Sequence, residues 1–244
     1  MLFRSLVAWA GSHTAEWKFR ATAWADFLPG AFIALEGIDG SGKSTIAERL
    51  VAALRQAGMR AILTREPGGT AIGEQIRVVL LGHASSSMLP ATEMLLFAAA
   101  RAQHVGEVIR PALAQGFIVV TDRFTDSSLA YQWGARGLPK RDVVLTQELA
   151  TDGLEPDLKI LLDLPVDTAL RRRMSNSNDV NRLDREEIQF HTRVRDAYHS
   201  LAAADPARWR VINADRAEDD VWADVWRTVV SHGLLRSGVG TIGH

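Results

Sequence analysis

The sequence predicts an α/β fold in which a parallel sheet is covered by helices on both faces. Three observations lead to this prediction. Short apolar runs of strand length alternate along the chain with longer segments in which apolar residues recur at helical spacing. The first apolar run leads directly into a glycine-rich loop and a helix. The 244 residues, of which 47% are hydrophobic and 23% charged, suffice for one large domain with a substantial core.

The composition excludes several classes of function. The net charge of −1 argues against a large basic surface, so no nucleic-acid partner is expected. The absence of cysteine excludes disulfides, thiolate zinc sites and cysteine nucleophiles. It also fits a reducing compartment, and a cytoplasmic location is expected. No stretch approaches the roughly 20 apolar residues that a membrane span needs, so no membrane partner is expected.

Five segments have the length and apolar character of strands: residues 31–35, 61–64, 117–121, 158–164 and 209–213. Helical spacing covers residues 46–54, 72–80, 91–115, 142–150, 168–174, 188–201 and 221–229. Gly134, Gly137 and Pro139 predict a loosened segment after residues 127–132. Because alternating strands and helices favour parallel pairing, the carboxyl ends of the strands meet at one edge, where ligands bind.

The segment after the first strand, from Glu36 to Thr45, fits the pattern G-x-x-x-x-G-K-[ST]. Glycines let the backbone approach phosphates, and the following helix directs its N-terminus at the anion. Lys43 is predicted to reach the β- and γ-phosphates, and the Ser44 hydroxyl to bind Mg²⁺. A chance turn before a helix is the alternative, but strand and helix are both present. The sequence therefore predicts that a nucleoside triphosphate is bound by Gly37, Ile38, Asp39, Gly40, Ser41, Gly42, Lys43, Ser44 and Thr45.

Charged residues follow the second and third strands. Asp122 stands where such a protein holds Mg²⁺, and the planar fork of Arg123 suits a phosphate. Arg65 could clamp an anion, although an isolated arginine is more often a solvated surface charge. Phe97 and Arg101 lie four residues apart and hence on one helix face. Phe97 is most simply a core residue, but an aromatic residue with an arginine one turn later also suits a nucleobase.

Arginines flank a polar segment late in the chain. Arg171, Arg172 and Arg173 end a predicted helix, and Arg182 and Arg185 follow residues 175–179, which have turn chemistry. Beside a phosphate site, this arrangement predicts a lid over about residues 171–185 that closes on the triphosphate. A solvated, arginine-rich helix end is an equally good interpretation of the spacing.

The two ends of the chain are predicted to lie outside the domain. Residues 1–30 precede the first strand and are interpreted as an extension, with a signal peptide or an amphipathic targeting helix as alternatives. Residues 233–244 are glycine-rich and predict a flexible tail. The domain itself is expected over residues 31–232, with no internal repeat.

Four blocks together resemble the bacterial thymidylate kinase (dTMP kinase) family, over about residues 31–215. They are residues 36–45, then Thr64-Arg65-Glu66-Pro67-Gly68-Gly69-Thr70, then Leu96-Phe97-Ala98-Ala99-Ala100-Arg101, and Asp122-Arg123-Phe124 with Ser127-Ser128-Leu129-Ala130-Tyr131-Gln132. The second and fourth blocks are the most specific. The resemblance implies a three-layer P-loop NTPase fold with a five-stranded parallel sheet, and a homodimer.

The resemblance also implies a reaction, in which ATP with Mg²⁺ donates its γ-phosphoryl group to dTMP and gives dTDP. Phe97 would stack on thymine, Arg101 would hydrogen-bond its carbonyl edge, and Ser128 and Gln132 would lie beside it. Tyr131 would crowd the 2′ side of the sugar and Asp39 would meet the 3′-hydroxyl, while Arg65 and Arg123 would hold the acceptor phosphate. The implied catalytic residues are Lys43, Arg123, Asp39 and Arg172.

The lid departs from the family pattern. Gly40 and Ser41 are not basic, so a lid arginine should be needed, yet Met174 and Asn176 stand where further arginines are expected. Arg172 matches best, and its two neighbours could substitute for it. The altered lid keeps open a weakly active relative. Two further alternatives are a kinase for another nucleotide and a switch that hydrolyses ATP or GTP slowly. The chain has no Asn-Lys-x-Asp segment for reading guanine, which argues against the last.

Overall fold

The computed structural model describes residues 30–85, 87–175 and 181–234. Most of the predicted N-terminal extension, residues 1–29, lies outside this part. The same holds for residues 235–244 of the predicted tail and for residues 176–180 at the centre of the predicted lid.

Strands and helices alternate along the described chain. The strands are β1 (Phe32–Glu36), β2 (Ala61–Arg65), β3 (Ile118–Asp122), β4 (Leu158–Asp163) and β5 (Trp209–Asn213). The α-helices are α1 (Lys43–Gln56), α2 (Ala71–Leu81), α3 (Pro90–His104), α4 (Arg110–Ala114), α5 (Thr125–Ser128), α6 (Lys140–Thr151), α7 (Val166–Ser175), α8 (Ile188–Ala204) and α9 (Glu218–Ser231). Two π-helical segments, Val105–Ile109 and Leu129–Ala135, and two 3₁₀ turns, His83–Ser85 and Leu183–Arg185, complete the order.

The five strands form one parallel sheet in the order β2-β3-β1-β4-β5. Every residue of the central strand β1 is buried, as its apolar sequence requires of a strand covered on both faces. Glu36 and Asp122 end β1 and β3, which pair side by side. The predicted three-layer α/β fold is thus confirmed, and the predicted site residues at the strand ends come to one edge of the sheet.

The helices cover the sheet with apolar faces. α1 buries Ile46, Leu50 and Leu54 at helical spacing against the largest apolar cluster. On α2, the side chain of Thr70 caps the helix by accepting a hydrogen bond from the backbone N–H of Gly73 at 2.9 Å. No helix in the described ranges is long and apolar enough to cross a membrane.

Two predictions about helices were wrong in detail. The helix predicted over residues 91–115 contains the π-helical segment Val105–Ile109, which precedes Pro111, a residue without an N–H to donate. The segment predicted to be loose around Gly134 is π-helical through Ala135. A Cβ atom on Gly134 would lie 2.4 Å from the Cβ atom of Ala197, so this glycine permits close approach of α8.

Candidate active site

The loop between β1 and α1 has the backbone of a phosphate cradle. Gly40 and Gly42 adopt positive φ angles of 84° and 89°, which favour glycine, and Gly42 is the N-cap of α1. A Cβ atom on Gly40 would lie 2.1 Å from the carbonyl oxygen of Ala169, so α7 packs directly on the loop. The predicted lid helix therefore begins in contact with the phosphate loop.

Lys43 lies at the start of α1 with its side chain folded back into this loop. Its ammonium group donates to the carbonyl oxygen of Ile38 at 3.0 Å and lies 3.5 Å from Oγ of Ser41. Burial, together with the nearby charge of Arg123, lowers its pKa below the ordinary value. An anion bound in the loop would supply the counter-charge that the buried ammonium group needs.

Ser44 and Asp122 form a pair of oxygen donors at the base of the loop. The Ser44 hydroxyl donates to Oδ2 of Asp122 at 2.6 Å, whereas Oδ1 is buried and has no hydrogen-bond partner in the described chain. No cluster of three or more His, Cys, Asp or Glu residues occurs there. A free carboxylate oxygen beside a hydroxyl nevertheless fits Mg²⁺, which keeps several waters and takes its other ligands from substrate phosphates.

Arg123 connects the phosphate loop to the other half of the site. It follows β3 with a φ angle of 74°, a conformation that is rare for a residue with a side chain. Its backbone N–H donates to the carbonyl oxygen of Leu35 at 2.9 Å, and its carbonyl oxygen accepts from Thr121 Oγ1 at 2.9 Å. Two hydrogen bonds thus hold the backbone in a conformation that costs energy, as is common at functional sites.

The guanidinium group of Arg123 is largely enclosed. Its Nη2 atom donates to Oδ1 of Asp39 at 2.6 Å, and Nη1 donates to Gly37 O at 2.9 Å. Burial alone would raise the pKa of Asp39, but the charges of Arg123 and Lys43 hold it well below its usual range. The Tyr131 hydroxyl lies 3.3 Å from Oδ2 of Asp39, and burial raises its pKa. Asp39 is therefore ionised and Tyr131 neutral at neutral pH.

Glu36, which ends β1, is fully buried beneath Arg123. Its Oε1 atom accepts from the backbone N–H of Phe124 at 2.8 Å, and Oε2 accepts from Ser127 at 2.6 Å and from Tyr198 at 2.9 Å. The hydroxyls of Ser127 and Tyr198 each also accept from Nη1 of Arg123 at 3.1 Å. Glu36 thus supports the groups that hold the arginine.

One cleft of about 570 Å³ joins these residues to the predicted acceptor side. Residues 39–45 of the phosphate loop line it, together with Asp122 and Arg123. On the other side it is lined by Arg65, Phe97, Ser128, Tyr131 and Gln132. Gly37 and Ile38, also predicted to bind ATP, lie behind the loop and outside the lining.

Arg101 lies behind the lining of the cleft, although the resemblance implies contact with a base. Its side chain is 1% exposed and donates to Glu66 at 2.6 Å, to Ser128 at 2.8 Å, to Phe124 O at 2.9 Å and to Gln147. These bonds use four of the five N–H groups of a guanidinium. The observed role of Arg101 is therefore to hold the wall of the pocket from behind.

The three consecutive arginines of α7 point in different directions. Arg171 pairs with Asp167 at 2.8 Å on an exposed surface and does not line the cleft. Arg172 lines the cleft and donates to the carbonyl oxygen of Ala214 at 2.9 Å. Arg173 also lines it and pairs with the buried Asp184 at 2.9 Å. The structure therefore brings two of the three arginines to the site.

Arg182, at the far end of the predicted lid, does not reach the cleft. It is 8% exposed and donates to Leu80 O at 3.1 Å and to Glu93 at 2.5 Å. It connects its own part of the chain to α2 and α3 instead.

Sequence reasoning missed several supporting residues, notably Glu36, Glu93, Tyr198 and Asp184. Glu36 and Glu93 each carried a signal, because a carboxylate interrupts an otherwise apolar strand or helix face and must find partners when buried. The position of Tyr198 on the buried face of α8 gave no sequence signal of a role in the site.

Fold and site together define a P-loop phosphotransferase with a second binding region beside its phosphate loop. A sequence profile of thymidylate kinase matches residues 35–225. The thymidylate kinase of Thermomicrobium roseum is 50% identical over 198 residues, which are 81% of this chain and 93% of that protein. That of Geobacter sulfurreducens is 49% identical over 191 residues, covering 76% and 90%. The chain belongs to the thymidylate kinase family, so the resemblance found in the four sequence blocks is confirmed.

Proposed function

We propose that this chain transfers the γ-phosphoryl group of ATP to the 5′-phosphate of dTMP, giving dTDP and ADP. The observation that carries the proposal is that one cleft is lined both by the phosphate loop and, on its other side, by Phe97, Ser128 and Gln132. Arg123 lies between the two sides, where donor and acceptor phosphates would meet. A switch protein that only hydrolyses a triphosphate would have no use for the second region.

The acceptor side suits a pyrimidine deoxynucleotide. Phe97 offers an aromatic face to the base, and Ser128 and Gln132 offer polar groups. Tyr131 and Asp39 lie together at 3.3 Å beside Arg123, and we assign them to the 2′ and 3′ sides of the sugar. Arg65 lines the entrance with 47% of its side chain exposed, and with Arg123 it would hold the acceptor phosphate.

The chemistry that follows needs no general base, because the attacking phosphate oxygen is already ionised at neutral pH. The chain lowers the barrier by aligning the two phosphates and by neutralising negative charge. Lys43 would turn from the Ile38 carbonyl oxygen to the β- and γ-phosphates. Arg123 would hold the acceptor, with Asp39 keeping its fork in place. Arg172, with Arg173 beside it, would neutralise charge from the lid.

Ser44 and Asp122 would hold Mg²⁺, which when bound neutralises charge on the β- and γ-phosphates. The free Oδ1 atom of Asp122 supports this assignment.

A panel of acceptors tests the proposal most directly. ADP release would be followed with Mg-ATP and each of dTMP, dUMP, UMP, dCMP, AMP and GMP. Strong turnover that depends on dTMP, with dUMP a weaker substrate, is the expected result. Preference for another monophosphate would overturn the assignment of the pocket, and loss of ATP without any acceptor would favour the switch.

We also propose that the chain forms a homodimer. Large apolar side chains are exposed on three neighbouring helices: Val78 on α2, Leu95 on α3, and Leu145 and Leu149 on α6. Contact with a second copy would cover them. The cytoplasmic location and the interpretation of residues 1–30 as an extension outside the domain stay predictions from the sequence.

A further inference from the structure

Glu93 is a buried carboxylate on α3, one helical turn before Phe97. It is 1% exposed and accepts hydrogen bonds from three residues. Oε1 accepts from Nε2 of Gln132 at 3.1 Å and from Nε of Arg136 at 3.1 Å, and Oε2 accepts from Nη2 of Arg136 at 3.2 Å and from Arg182 at 2.5 Å. The carboxylate thus joins the base side of the cleft to Arg182.

The charge of Glu93 determines how Gln132 is oriented. Burial alone would raise the pKa of Glu93, but hydrogen bonds and charge from Arg136, followed by bonds from Arg182 and Gln132, hold it below the ordinary value. Glu93 is therefore an ionised carboxylate at neutral pH, and such a group only accepts hydrogen bonds. Gln132 must consequently turn its NH₂ group toward Glu93.

The carbonyl side of the Gln132 amide then points into the cleft. Because oxygen and nitrogen lie on opposite sides of the amide carbon, the Gln132 carbonyl oxygen faces away from Glu93. Gln132 lines the cleft, and its carbonyl oxygen has no hydrogen-bond partner among residues 30–85, 87–175 and 181–234. Ser128 is fixed in a complementary way, because its oxygen accepts from Arg101 at 2.8 Å and its proton stays available. The cleft thus presents an acceptor at Gln132 and a donor at Ser128.

We propose that Glu93 is a positioning residue that determines which base is accepted. It does so by holding the Gln132 side chain so that the Gln132 carbonyl oxygen faces the base. Thymine and uracil carry a ring N–H flanked by carbonyl oxygens, which matches this acceptor and the neighbouring donor. Cytosine carries an unprotonated ring nitrogen at the same position, so two acceptors would face each other. The inference rests on the proposed function, that the acceptor substrate is a pyrimidine monophosphate.

The experiment measures kcat/KM for dTMP and for dCMP in wild-type protein and in Glu93→Gln. A glutamine at position 93 both donates and accepts, so either orientation of the Gln132 amide is allowed. The ratio of kcat/KM for dTMP to that for dCMP should fall on the order of 10-fold or more. The change should appear mainly in the KM of the monophosphate, with the KM of ATP unaltered.

A double-mutant cycle separates positioning from general damage to the fold. Gln132→Met removes the amide at similar volume, and the ratio should fall by a similar factor. Because Glu93 acts through Gln132, Glu93→Gln should lower the ratio no further in the Gln132→Met background. Arg136→Lys is the matched control: it changes a residue that donates to the same carboxylate but keeps the positive charge beside Glu93, so Glu93 stays ionised and the ratio should stay at the wild-type value.

Glu93→Asp provides a second test in case Glu93→Gln does not fold. It keeps the negative charge that Arg136 and Arg182 need but withdraws it by one methylene from Gln132, so the ratio should again fall. A wild-type ratio in the folded variants, or a full additional effect in the double mutant, would overturn the role of Glu93 alone. Wild-type protein without any dTMP turnover would overturn the proposed function, and the base-selecting role with it.

Discussion

The hydroxyl oxygen of Ser44 lies 2.6 Å from Oδ2 of Asp122, although 78 positions separate the two residues in the chain. The pair joins the first turn of α1 to the end of β3, and it leaves Oδ1 of Asp122 buried without a partner in the described chain. A buried carboxylate oxygen without a donor is costly unless a cation or water satisfies it.

Asp122→Asn should weaken the binding of Mg-ATP on the order of 10-fold or more, because an amide replaces the free anionic oxygen. Calorimetric titration with ATP, in Mg²⁺ and in a chelator, measures this. Wild-type affinity should depend strongly on Mg²⁺ and that of the variant much less. Asp163→Asn is the matched control, because Asp163 ends β4 but pairs with Arg195 outside the cleft. Equal dependence on Mg²⁺ in wild type and Asp122→Asn would refute the assignment.

Arg123→Lys should reduce kcat/KM for dTMP on the order of 10²-fold. Lysine keeps the charge, but it lacks the planar fork that donates to Asp39 and Gly37 together. Steady-state kinetics should show little change in the KM of ATP. Arg195→Lys, which alters a similar two-pronged pair with Asp163 outside the cleft, should retain wild-type kinetics. An effect of Arg123→Lys confined to ATP would contradict its role on the acceptor.

The architecture could be predicted from sequence because it follows from patterns that are local. All five predicted strands match the observed ones to within one residue at each end, since each is an apolar run with breakers beside it. The π-helical segments could not be predicted. Gly134, for example, has the sequence signature of a residue that ends a helix, but in the structure it permits the close approach of Ala197.

The site was only half predictable for a related reason. Arg123, which follows β3, and Ser44, which lies in the first turn of the helix after β1, are placed by the fold itself. Arg101 and Glu93 are placed by buried hydrogen-bond networks whose members come from distant parts of the chain. Sequence spacing does not indicate which residues those partners are. The position of Arg182 outside the cleft could not be predicted for the same reason, because nothing local indicates that its partner is Glu93.

Arg172→Ala should lower kcat on the order of 10²-fold, because its guanidinium lines the cleft beside the phosphate loop. Arg171→Ala is the matched control on the preceding residue and should stay within about twofold, since an exposed surface pair contributes little. Single-turnover kinetics would separate the chemical step from product release. If Arg172→Ala kept wild-type kcat while Arg173→Ala lost it, the role would belong to Arg173.

Leu149→Glu should shift the protein from dimer to monomer in analytical ultracentrifugation. Leu149 is 85% exposed on α6, and a carboxylate would have to be desolvated in the proposed interface. Val230→Glu is the control, because Val230 is exposed on α9, which follows β5 at the opposite edge of the sheet from β2. A monomeric wild-type protein would exclude the proposed dimer. A Leu149→Glu variant that remains dimeric would place the interface elsewhere.

The stability of the protein should fall with rising pH in a way that depends on Glu36. Burial raises the pKa of Glu36 from 4.5 to about 7, and the nearby charge of Asp126 adds to the rise. The folded state therefore binds this proton more tightly than the unfolded state does. Its stabilising effect is complete below pH 4.5 and is lost as the pH rises through about 7, which corresponds to about 3 kcal/mol.

Glu36→Gln isolates this effect, because an amide resembles the protonated acid and does not titrate. Thermal unfolding would be followed from pH 5 to pH 8 in both proteins. The melting temperature of the wild type should fall by several degrees more than that of the variant over this range, since about 3 kcal/mol is at stake. Parallel curves for the two proteins would show that Glu36 stays ionised in the fold, held by Ser127, Arg123 and Phe124 rather than neutralised by burial.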